Sequence, residues 1–352
     1  MYIILAILAF GFLIAIHEGG HFLAAKACGV RVNEFAIGMG PKLLKKQGKE
    51  TLYTLRLLPL GGFCAMEGED EETGDARAFS ARPLWQRIII LVAGASMNFL
   101  LGFLLVLCIT PHASFAEPII YDFMDGCPYQ GEAGFQIGDR IISIDGHRTY
   151  FTQDFTEYLL RDPDGAHRIV LRRNGHRIVL NDFTMQRREY VQSDGSTALR
   201  VGVFFAPKKA GFFPAVRYAW LESLSFVKLV WNSLGDLFTG AVGVRDLSGP
   251  VGIVDYVNEV ETAARSPLEA YFFFFYFFAL IAVNLAVMNL LPIPALDGGR
   301  VFLLLLTWLI EHITRRKLNP KYEGFLNAAC LIALMALMLF VMANDIIKIF
   351  TR

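Results

Sequence analysis

The sequence predicts a polytopic α-helical membrane protein with a β-rich domain inserted outside the membrane, and three observations carry that prediction. Hydrophobic residues make up 54% of the chain and charged residues only 19%, against roughly 25% charged in an ordinary soluble domain. Four stretches have the length and apolar character that a bilayer span needs, which is about 20 residues. A long, more polar stretch, residues 111–269, separates the second of these from the third.

The four predicted spans differ in whether polar residues interrupt their apolar sequence. Three contain no Asp, Glu, Lys or Arg, whereas the first is interrupted by polar residues near its end and is interpreted as one helix. The apolar run 301–310 is too short to span and is expected to lie in or under the bundle. No basic residue precedes the first span, so it is not expected to be a cleaved signal peptide. The predicted spans are residues 2–25, 88–110, 270–296 and 324–343.

Basic residues near the spans predict the orientation in the membrane. Segment 26–87 holds ten Lys and Arg, and segment 297–323 holds five. Short loops rich in Lys and Arg stay in the cytoplasm, whereas long domains cross largely regardless of charge. Both termini and the insert are therefore expected outside the membrane, with the two basic segments on the cytoplasmic side.

Overall charge and cysteine usage exclude two classes of function. The 33 basic side chains balance 33 acidic ones, so there is no basic field to attract nucleic acid. The five cysteines form no Cys-x-x-Cys pair, which argues against a cysteine zinc site and against a disulfide framework.

The insert divides into two parts that differ in their pattern of apolar and polar residues. Residues 141–146 read as a strand that ends in a tight turn, and Asn174-Gly175 between two apolar runs is a hairpin signal. After Pro207 longer apolar stretches with scattered charges indicate helix against the membrane surface. The predicted organisation is a membrane core at 1–112 and 270–352, a β-rich domain at 113–206 and a surface helical region at 207–269.

A β-hairpin is predicted in the first cytoplasmic segment, at residues 31–62. Leu43–Lys45 and Thr51–Leu57 resemble two strands joined around Gly48. An open sheet edge offers unpaired backbone groups, so such a hairpin could bind an extended substrate as an added strand. An ordinary cytoplasmic hairpin is the alternative.

The first span contains His17-Glu18-Gly19-Gly20-His21, which fits the pattern H-E-x-x-H. Residues four apart share one face of a helix, so both imidazoles can reach one zinc ion, with Glu18 placed as general base. Titratable groups within a span are costly to insert and are functional by default. A polar patch satisfied by neighbouring helices is the alternative.

A catalytic zinc site needs a third protein ligand, and Asp297 is the candidate. It follows Pro292 and Pro294, which are expected to break the helix of the third span near its end. Both ligand-bearing spans run from outside to inside, so the three side chains can meet at one depth. The alternative for Asp297 is an N-cap of a helix beginning at Val301. The other histidines lie outside the clear spans.

These residues resemble the site-2 protease family of intramembrane zinc metalloproteases, most closely its bacterial RseP-type branch. The resemblance runs nearly end to end and implies zinc as cofactor, Asp297 as third ligand and single-span membrane proteins or signal-peptide remnants as substrates. The motifs that carry it are His17, Glu18 and His21, and then Asn289, Pro292, Pro294, Asp297 and Gly298.

Two further segments resemble substrate-binding parts of that family. Gly38-Met39-Gly40-Pro41 with the hairpin is similar to a membrane-reentrant β-region that binds substrate by strand addition, and Gly94 to Asn98 is similar to a second-helix motif. A buried interhelical hydrogen bond is the alternative for Asn98. The expected substrate-binding residues are Gly38, Gly40, Tyr53, Asn98 and Asn289.

The insert resembles a bacterial PDZ domain through residues 131–146, although Cys127-Pro128-Tyr129 departs from the usual Ser-Pro-Ala. The expected function is regulated intramembrane proteolysis, for example of anti-sigma factors, with the PDZ-like domain limiting substrate access. A zinc-importing transporter and a non-catalytic PDZ scaffold are the alternatives. The former predicts more spans and more intramembrane histidines than the sequence contains.

Overall fold

Seven α-helices and ten β-strands make up the described part of the chain. The structure is a computed structural model that describes residues 2–69, 73–110, 115–161, 165–191, 197–208, 212–240, 243, 266–315 and 321–351. It divides into two compact units. The first comprises Met1–Val106 with Phe226–Arg352, and the second comprises Leu107–Ser225.

Long apolar helices dominate the first unit. Four of them are long and apolar enough to cross a membrane, over Leu8–Ala27, Leu84–Ile109, Ala270–Asn289 and Gly324–Asp345, which confirms a polytopic membrane protein. The helices are α1 (Tyr2–Ala27), α2 (Leu84–Ile109), α4 (Phe212–Thr239), α5 (Pro267–Asn289), α6 (Asp297–Thr314) and α7 (Lys321–Thr351), with α4 shared between the two units.

The helix of the third span ends before its two prolines. Helix α5 ends at Asn289, not at residue 296, and residues 290–296 form successive turns. Pro292 and Pro294 lack the amide hydrogen that a helix interior needs, and their rings clash with the preceding turn. Helix α6 begins at Asp297, four residues before the predicted start.

Glycine allows α1 and α2 to touch through their backbones. A Cβ on Gly20 would lie 2.5 Å from the carbonyl oxygen of Ala93 and 2.9 Å from the Cα of Gly94. Such contacts are closer than any side chain permits, so this crossing requires glycine. Beside it, Ala25 and Ile90 are fully buried in an apolar cluster.

The predicted hairpin is present, but its strands are longer than expected. Strand β1 covers Val32–Gln47 and β2 covers Leu52–Met66, with a turn in which the Gly48 amide donates to the Thr51 carbonyl at 2.9 Å. Each strand bends in its middle, so the two strands form four short segments. In sheet order these are residues 62–66, 32–37, 52–56 and 42–47.

Glycines make those bends possible. Gly38, Gly40 and Gly61 have φ values of 86°, 85° and 85°, in the left-handed region that side chains other than glycine rarely enter. Residues 34–37 therefore pair with 62–65 on one side and with 52–55 on the other. The outer segments 62–66 and 42–47 are the edges of this small sheet.

The second unit is a mixed domain built on one six-stranded sheet. The sheet order is β10-β3-β4-β6-β7, with β5 paired to β4, and a separate hairpin is formed by β8 and β9. The elements are β3 (Phe115–Phe123), β4 (Arg140–Ile144), β5 (His147–Arg148), α3 (Thr152–Arg161), β6 (Ala166–Arg173), β7 (His176–Thr184), β8 (Arg188–Val191), β9 (Thr197–Arg200) and β10 (Val203–Lys208).

Both turn signals of the insert are confirmed. Strand β4 ends in a turn with Asp145 and Gly146 at positive φ, and Asn174-Gly175 joins β6 to β7 with φ values of 49° and 85°. Positive φ at both central residues matches the twist of a two-residue hairpin. The apolar core beneath the sheet includes Phe135, Ile141, Ile144, Phe155 and Ile169, all nearly inaccessible to solvent.

Asp139 explains the Gly-Asp pattern that precedes β4. Its carboxylate is fully buried and accepts hydrogen bonds from the Arg173 guanidinium at 2.7 Å and 2.8 Å and from the Gln136 amide at 2.8 Å. A buried charge is tolerated only when it is paired and hydrogen-bonded in this way.

The domain limits of the sequence prediction fall partly outside the described residues. The predicted start near residue 113 lies in the gap at 111–114. Helix α4 supplies helix in the predicted surface region 207–269, but residues 209–211, 241–242 and 244–265 are not described.

Candidate metal centre

Three predicted ligands, His17, His21 and Asp297, come together in the first unit. The Nε2 atoms of the two histidines lie 3.2 Å apart, and Oδ2 of Asp297 lies 3.1 Å from the first and 3.3 Å from the second. Among the described residues these three side chains form the cluster of His, Cys, Asp or Glu that could hold a metal ion. Residues from α1 and from the start of α6 therefore meet although 276 or more positions separate them in the sequence.

The spacing of the three atoms fits zinc. Zinc bonds to nitrogen and oxygen are about 2.0–2.1 Å long, so two donors at the corners of a zinc tetrahedron are about 3.3 Å apart. The three separations lie close to that value. Oδ2 of Asp297 is buried without a hydrogen-bond partner, which leaves its lone pairs directed into the cluster. Two imidazoles and a carboxylate also form a ligand set that suits zinc.

Helix α2 lies against this cluster through a glycine. A Cβ on Gly94 would be 2.4 Å from Nε2 of His21 and 2.8 Å from Cε1 of His17. Any side chain at this position would occupy the space where the two imidazoles converge. Gly94 is thus a functional residue that sequence reasoning did not single out, although it lies in the motif that carries the family resemblance.

Helix α2 also orients both imidazoles. Nδ1 of His21 lies 2.8 Å from the carbonyl oxygen of Ile90, which requires a hydrogen on Nδ1 and leaves the Nε2 lone pair free. A backbone carbonyl in this position is a typical outer partner of a metal-binding histidine. Both rings are buried.

Asn98 is the corresponding partner of His17. Its side chain is fully buried, and its amide group lies 3.3 Å from Nδ1 of His17. This geometry supports the alternative of a buried interhelical contact and does not support direct contact with substrate. The Asn98 Oδ1 has no hydrogen-bond partner. With the amide turned over, Oδ1 would accept a hydrogen bond from Nδ1, the arrangement that a histidine binding metal through Nε2 needs.

Asp297 does not act as a helix cap. Leu296 occupies the N-cap position of α6 without a side-chain hydrogen bond, so the capping alternative for Asp297 is wrong. The carboxylate instead points to the two histidines. Gly298 and Gly299 fit the start of α6 against the preceding turns, because a Cβ on either would lie within 2.3 Å of backbone atoms of Leu290 or Ile293.

Glu18 lies beside the cluster in a cavity of about 310 Å³. The cavity adjoins His17 and Asp297 and is the space in which a peptide bond and a water molecule could meet Glu18. Glu18 is only partly buried, unlike its histidine neighbours. The lining residues are Ile14, His17, Glu18, Gly61, Gly62, Leu285, Asn289, Ala295, Leu296 and Asp297.

Of the predicted substrate-binding residues, only some line the cavity. Asn289 lines it, whereas Gly38 and Gly40 are at the bend of β1 and are not among its lining residues. Tyr53 is on segment 52–56, which already has strand partners on both sides, and its ring contacts Phe22 and Phe35.

Gly61 and Gly62 are the hairpin residues that reach the cavity, and sequence reasoning missed them. A Cβ on Gly62 would lie 3.3 Å from Cγ of Glu18. Two adjacent glycines inside a strand often mark a place where another backbone approaches closely. That signal was available at Pro59-Leu60-Gly61-Gly62.

Cys64 is close to the site but is not one of the described side chains that form the candidate metal cluster. Burial raises the pKa of its thiol to about 12, and the nearby carboxylates of Glu18 and Glu69 add to the shift. In the absence of a bound metal the thiol is therefore protonated at neutral pH.

The hairpin carries its own charged cluster. The Glu34 carboxylate accepts hydrogen bonds from Arg56 at 2.9 Å, Thr54 at 2.8 Å and Lys42 at 3.0 Å. Burial alone would raise the pKa of Glu34, but these three donors outweigh it and hold the pKa at about 2. The carboxylate is therefore charged at physiological pH and ties three of the four hairpin segments together.

Three further histidines make contacts that do not concern the metal cluster. His147 stacks on Tyr158, and His312 stacks on Trp308. Nδ1 of His167 lies 2.7 Å from the Asp145 carboxylate.

Comparison with known proteins agrees with the geometry of this site. Residues 5–337 match peptidase family M50. A Clostridium perfringens protein with a provisional zinc-metalloprotease name is 36% identical over 349 residues, covering 99% of each chain. The zinc metalloprotease RasP of Bacillus licheniformis is 30% identical, and the regulator of sigma-W protease RasP of Bacillus subtilis is 29% identical, each alignment covering 99% of both chains. These matches favour an enzyme over a transporter or a scaffold.

Proposed function

The chain belongs to peptidase family M50, the site-2 type of zinc metalloprotease, and from that premise we propose that His17, His21 and Asp297 bind the zinc ion with which it cleaves single-span membrane proteins. The observation that carries the proposal is the convergence of Nε2, Nε2 and Oδ2 within 3.3 Å of one another, beside a cavity that Glu18 lines.

The roles of the side chains follow from their chemistry. Zinc, when bound, acts as a Lewis acid that polarises the scissile carbonyl and lowers the pKa of water. Glu18 would take a proton from the attacking water and return it to the leaving amine. Asn98 and the Ile90 carbonyl would hold the imidazoles of His17 and His21 in the orientation that offers Nε2.

Substrate would bind as an added strand on edge segment 62–66. This segment has a strand partner on one side within the hairpin sheet, segment 32–37, so its other side can accept another strand. Gly61 and Gly62 at its start line the same cavity as Glu18. A peptide added here would therefore place a backbone carbonyl near the metal cluster. Because glycine has no side chain, Gly61 and Gly62 would leave room for that peptide.

The substrates would be membrane proteins with one span, such as anti-sigma factors, or signal-peptide remnants. The name of the Bacillus subtilis relative associates that protein with regulation of sigma-W. Strand addition requires an extended backbone, whereas the backbone of a membrane helix is already hydrogen-bonded within the helix. A substrate helix therefore has to unwind locally before it binds. The sites of cleavage would then lie where the substrate helix is weakest or ends.

The charge bias of the loops supports an orientation with the metal cluster toward the cytoplasmic side of a bacterial inner membrane. Both termini and the second unit would then be extracytoplasmic. The second unit supplies none of the proposed ligands.

As a PDZ-like domain the second unit would restrict access by substrates with bulky outer domains. Replacing residues 116–205 with a flexible linker should keep zinc bound and extend cleavage to untrimmed substrates. Loss of cleavage of trimmed substrates in a folded, zinc-loaded deletion variant would refute this role.

Glu18→Gln tests the catalytic assignment. The substitution keeps the shape of the side chain and removes its basicity, so the purified variant should retain zinc and lose cleavage of a single-span model substrate. Gly19→Ala is the matched control, because a Cβ at Gly19 meets no atom within 4 Å. Normal cleavage by Glu18→Gln would refute the assignment.

A further inference from the structure

An ion pair links the end of the hairpin to the helix that begins with Asp297. Nη1 of Arg300 donates to Oε1 of Glu69, and the two residues are 231 positions apart in the sequence. We propose that this pair is a strap that fixes the third metal ligand relative to the substrate-binding edge of β2. Glu69 and Arg300 would thus be positioning residues for the reaction, an inference that rests on the proposed function.

The Glu69 side of the strap is anchored to the hairpin. Glu69 follows Met66, the last residue of β2, by three positions. The backbone between them is held on both sides, because the Glu67 amide donates to the Arg31 carbonyl at 2.9 Å and the Phe79 amide donates to the Glu67 carbonyl at 2.7 Å. The Glu69 carboxylate is therefore attached to the edge segment and not to a free loop.

The Arg300 side is anchored to the metal ligand. Arg300 lies three positions after Asp297, within the first turn of α6, and its amide donates to the Leu296 carbonyl at 3.0 Å. Gly298 and Gly299, between them, pack against backbone with no room for a side chain. A shift of Arg300 would therefore carry Asp297 with it.

The approach to Asp297 explains why such a strap is useful. Residues 290–296 are not helical, and Ala295 has a φ of 78°, which costs free energy for a residue with a side chain. Leu296 provides no capping hydrogen bond. The start of α6 is thus held by glycine packing on one side and by Glu69 on the other. The pair is partly buried, with side-chain exposures of 33% for Arg300 and 17% for Glu69.

The consequence is coupling between substrate binding and metal geometry. A peptide added to segment 62–66 would stabilise the end of β2, and the strap would transmit that order to Asp297. Misplacement of a reacting group by about 1 Å can lower a rate roughly a hundredfold, so a modest contact in this position can have a measurable effect.

Charge exchange tests the strap. In Glu69→Arg and in Arg300→Glu, two like charges face each other. Each variant should therefore lower kcat/KM about tenfold, mainly through a lower kcat, and should also bind zinc more weakly. The double variant Glu69→Arg with Arg300→Glu rebuilds the pair with reversed polarity and should recover to within roughly threefold of the wild type. Arg315→Glu, at the exposed opposite end of α6, is the matched control and should have little effect.

Zinc affinity keeps this test separate from the test of the proposed function. A wild-type protein that binds zinc but cleaves no membrane substrate would contradict the proposed function, while the zinc affinities of the exchange series would still report on the strap. Multiplicative losses in the double variant would overturn the strap. If either reversal prevents folding, Glu69→Gln and Arg300→Gln replace them, and full zinc affinity and activity in both would overturn it equally.

Discussion

Helix α1 and the hairpin both line the cavity beside the metal cluster, but glycine serves opposite purposes where α1 crosses α2 and within the hairpin. At the helix contact Gly20 and Gly94 remove side chains so that two backbones touch and two imidazoles fit between them. In the hairpin Gly38 and Gly61 take a left-handed conformation that bends the strands. The first use lets α2 hold the two imidazoles, and the second leaves an open strand edge beside them.

This difference assigns separate tasks to the two regions. The histidines are buried and their outer nitrogens are held by α2, so the two imidazoles are oriented before substrate arrives. The edge segment 62–66 has one partner in the sheet and can gain a second. Changes at the helix contact should therefore affect zinc, whereas changes at the edge should affect substrate binding and leave zinc in place.

The largest effect is expected from Gly94→Ala. The new methyl group would lie 2.4 Å from Nε2 of His21, so either the ring or α2 must move. We expect loss of stoichiometric zinc and at least roughly a hundredfold loss of activity, since displacement by about 1 Å has effects of that size. Metal analysis of the purified variant beside Gly19→Ala would check this. Zinc retained at full occupancy would show that α2 does not constrain the cluster.

A smaller effect is expected from Asn98→Leu. Loss of the outer partner of a metal-binding histidine typically lowers metal affinity about 10–100-fold. Zinc competition with a chelator would measure this. Asn98→Asp supplies an acceptor for Nδ1 of His17 and should recover much of the affinity. Equal affinities in Asn98→Leu and the wild type would refute the orienting role and return Asn98 to the substrate hypothesis.

Proline substitutions at the strand edge are expected to leave zinc binding unchanged. Amide hydrogens of successive strand residues point to opposite sides, so one of Phe63→Pro and Cys64→Pro removes an outward donor and the other disturbs pairing with β1. The outward one should raise KM about tenfold, since a lost ladder hydrogen bond costs roughly 1 kcal/mol or somewhat more. Tyr53→Pro would break internal pairs instead. Unchanged KM in both edge variants would eliminate strand addition at this segment.

Local patterns were sufficient to predict much of the site. The spacing of His17 and His21 depends only on helix geometry, and the Asn174-Gly175 turn depends only on two adjacent residues. The candidate Asp297 followed from topology and depth. Pro292 and Pro294 predict a break in the helix near the end of the third span, and the helix ends at Asn289, before both prolines.

What sequence reasoning missed depends on contacts between distant residues. The sequence predicts the hairpin, but alternation along a strand does not reveal which segments pair, so it indicates Tyr53 as one of the substrate-binding residues and does not indicate Gly62. The contact of Gly94 with His21, and that of Glu69 with Arg300, depend on how helices cross. No local pattern encodes such a crossing.

The central claim is that zinc is held by His17, His21 and Asp297. X-ray absorption at the zinc edge of the purified Glu18→Gln protein tests it most directly. The account predicts nitrogen and oxygen neighbours only, at about 2.0–2.1 Å, with the scattering pattern of two imidazoles, and loss of stoichiometric zinc in Asp297→Ala. A sulfur neighbour at about 2.3 Å, or an unchanged spectrum and zinc content in Asp297→Ala, would contradict it.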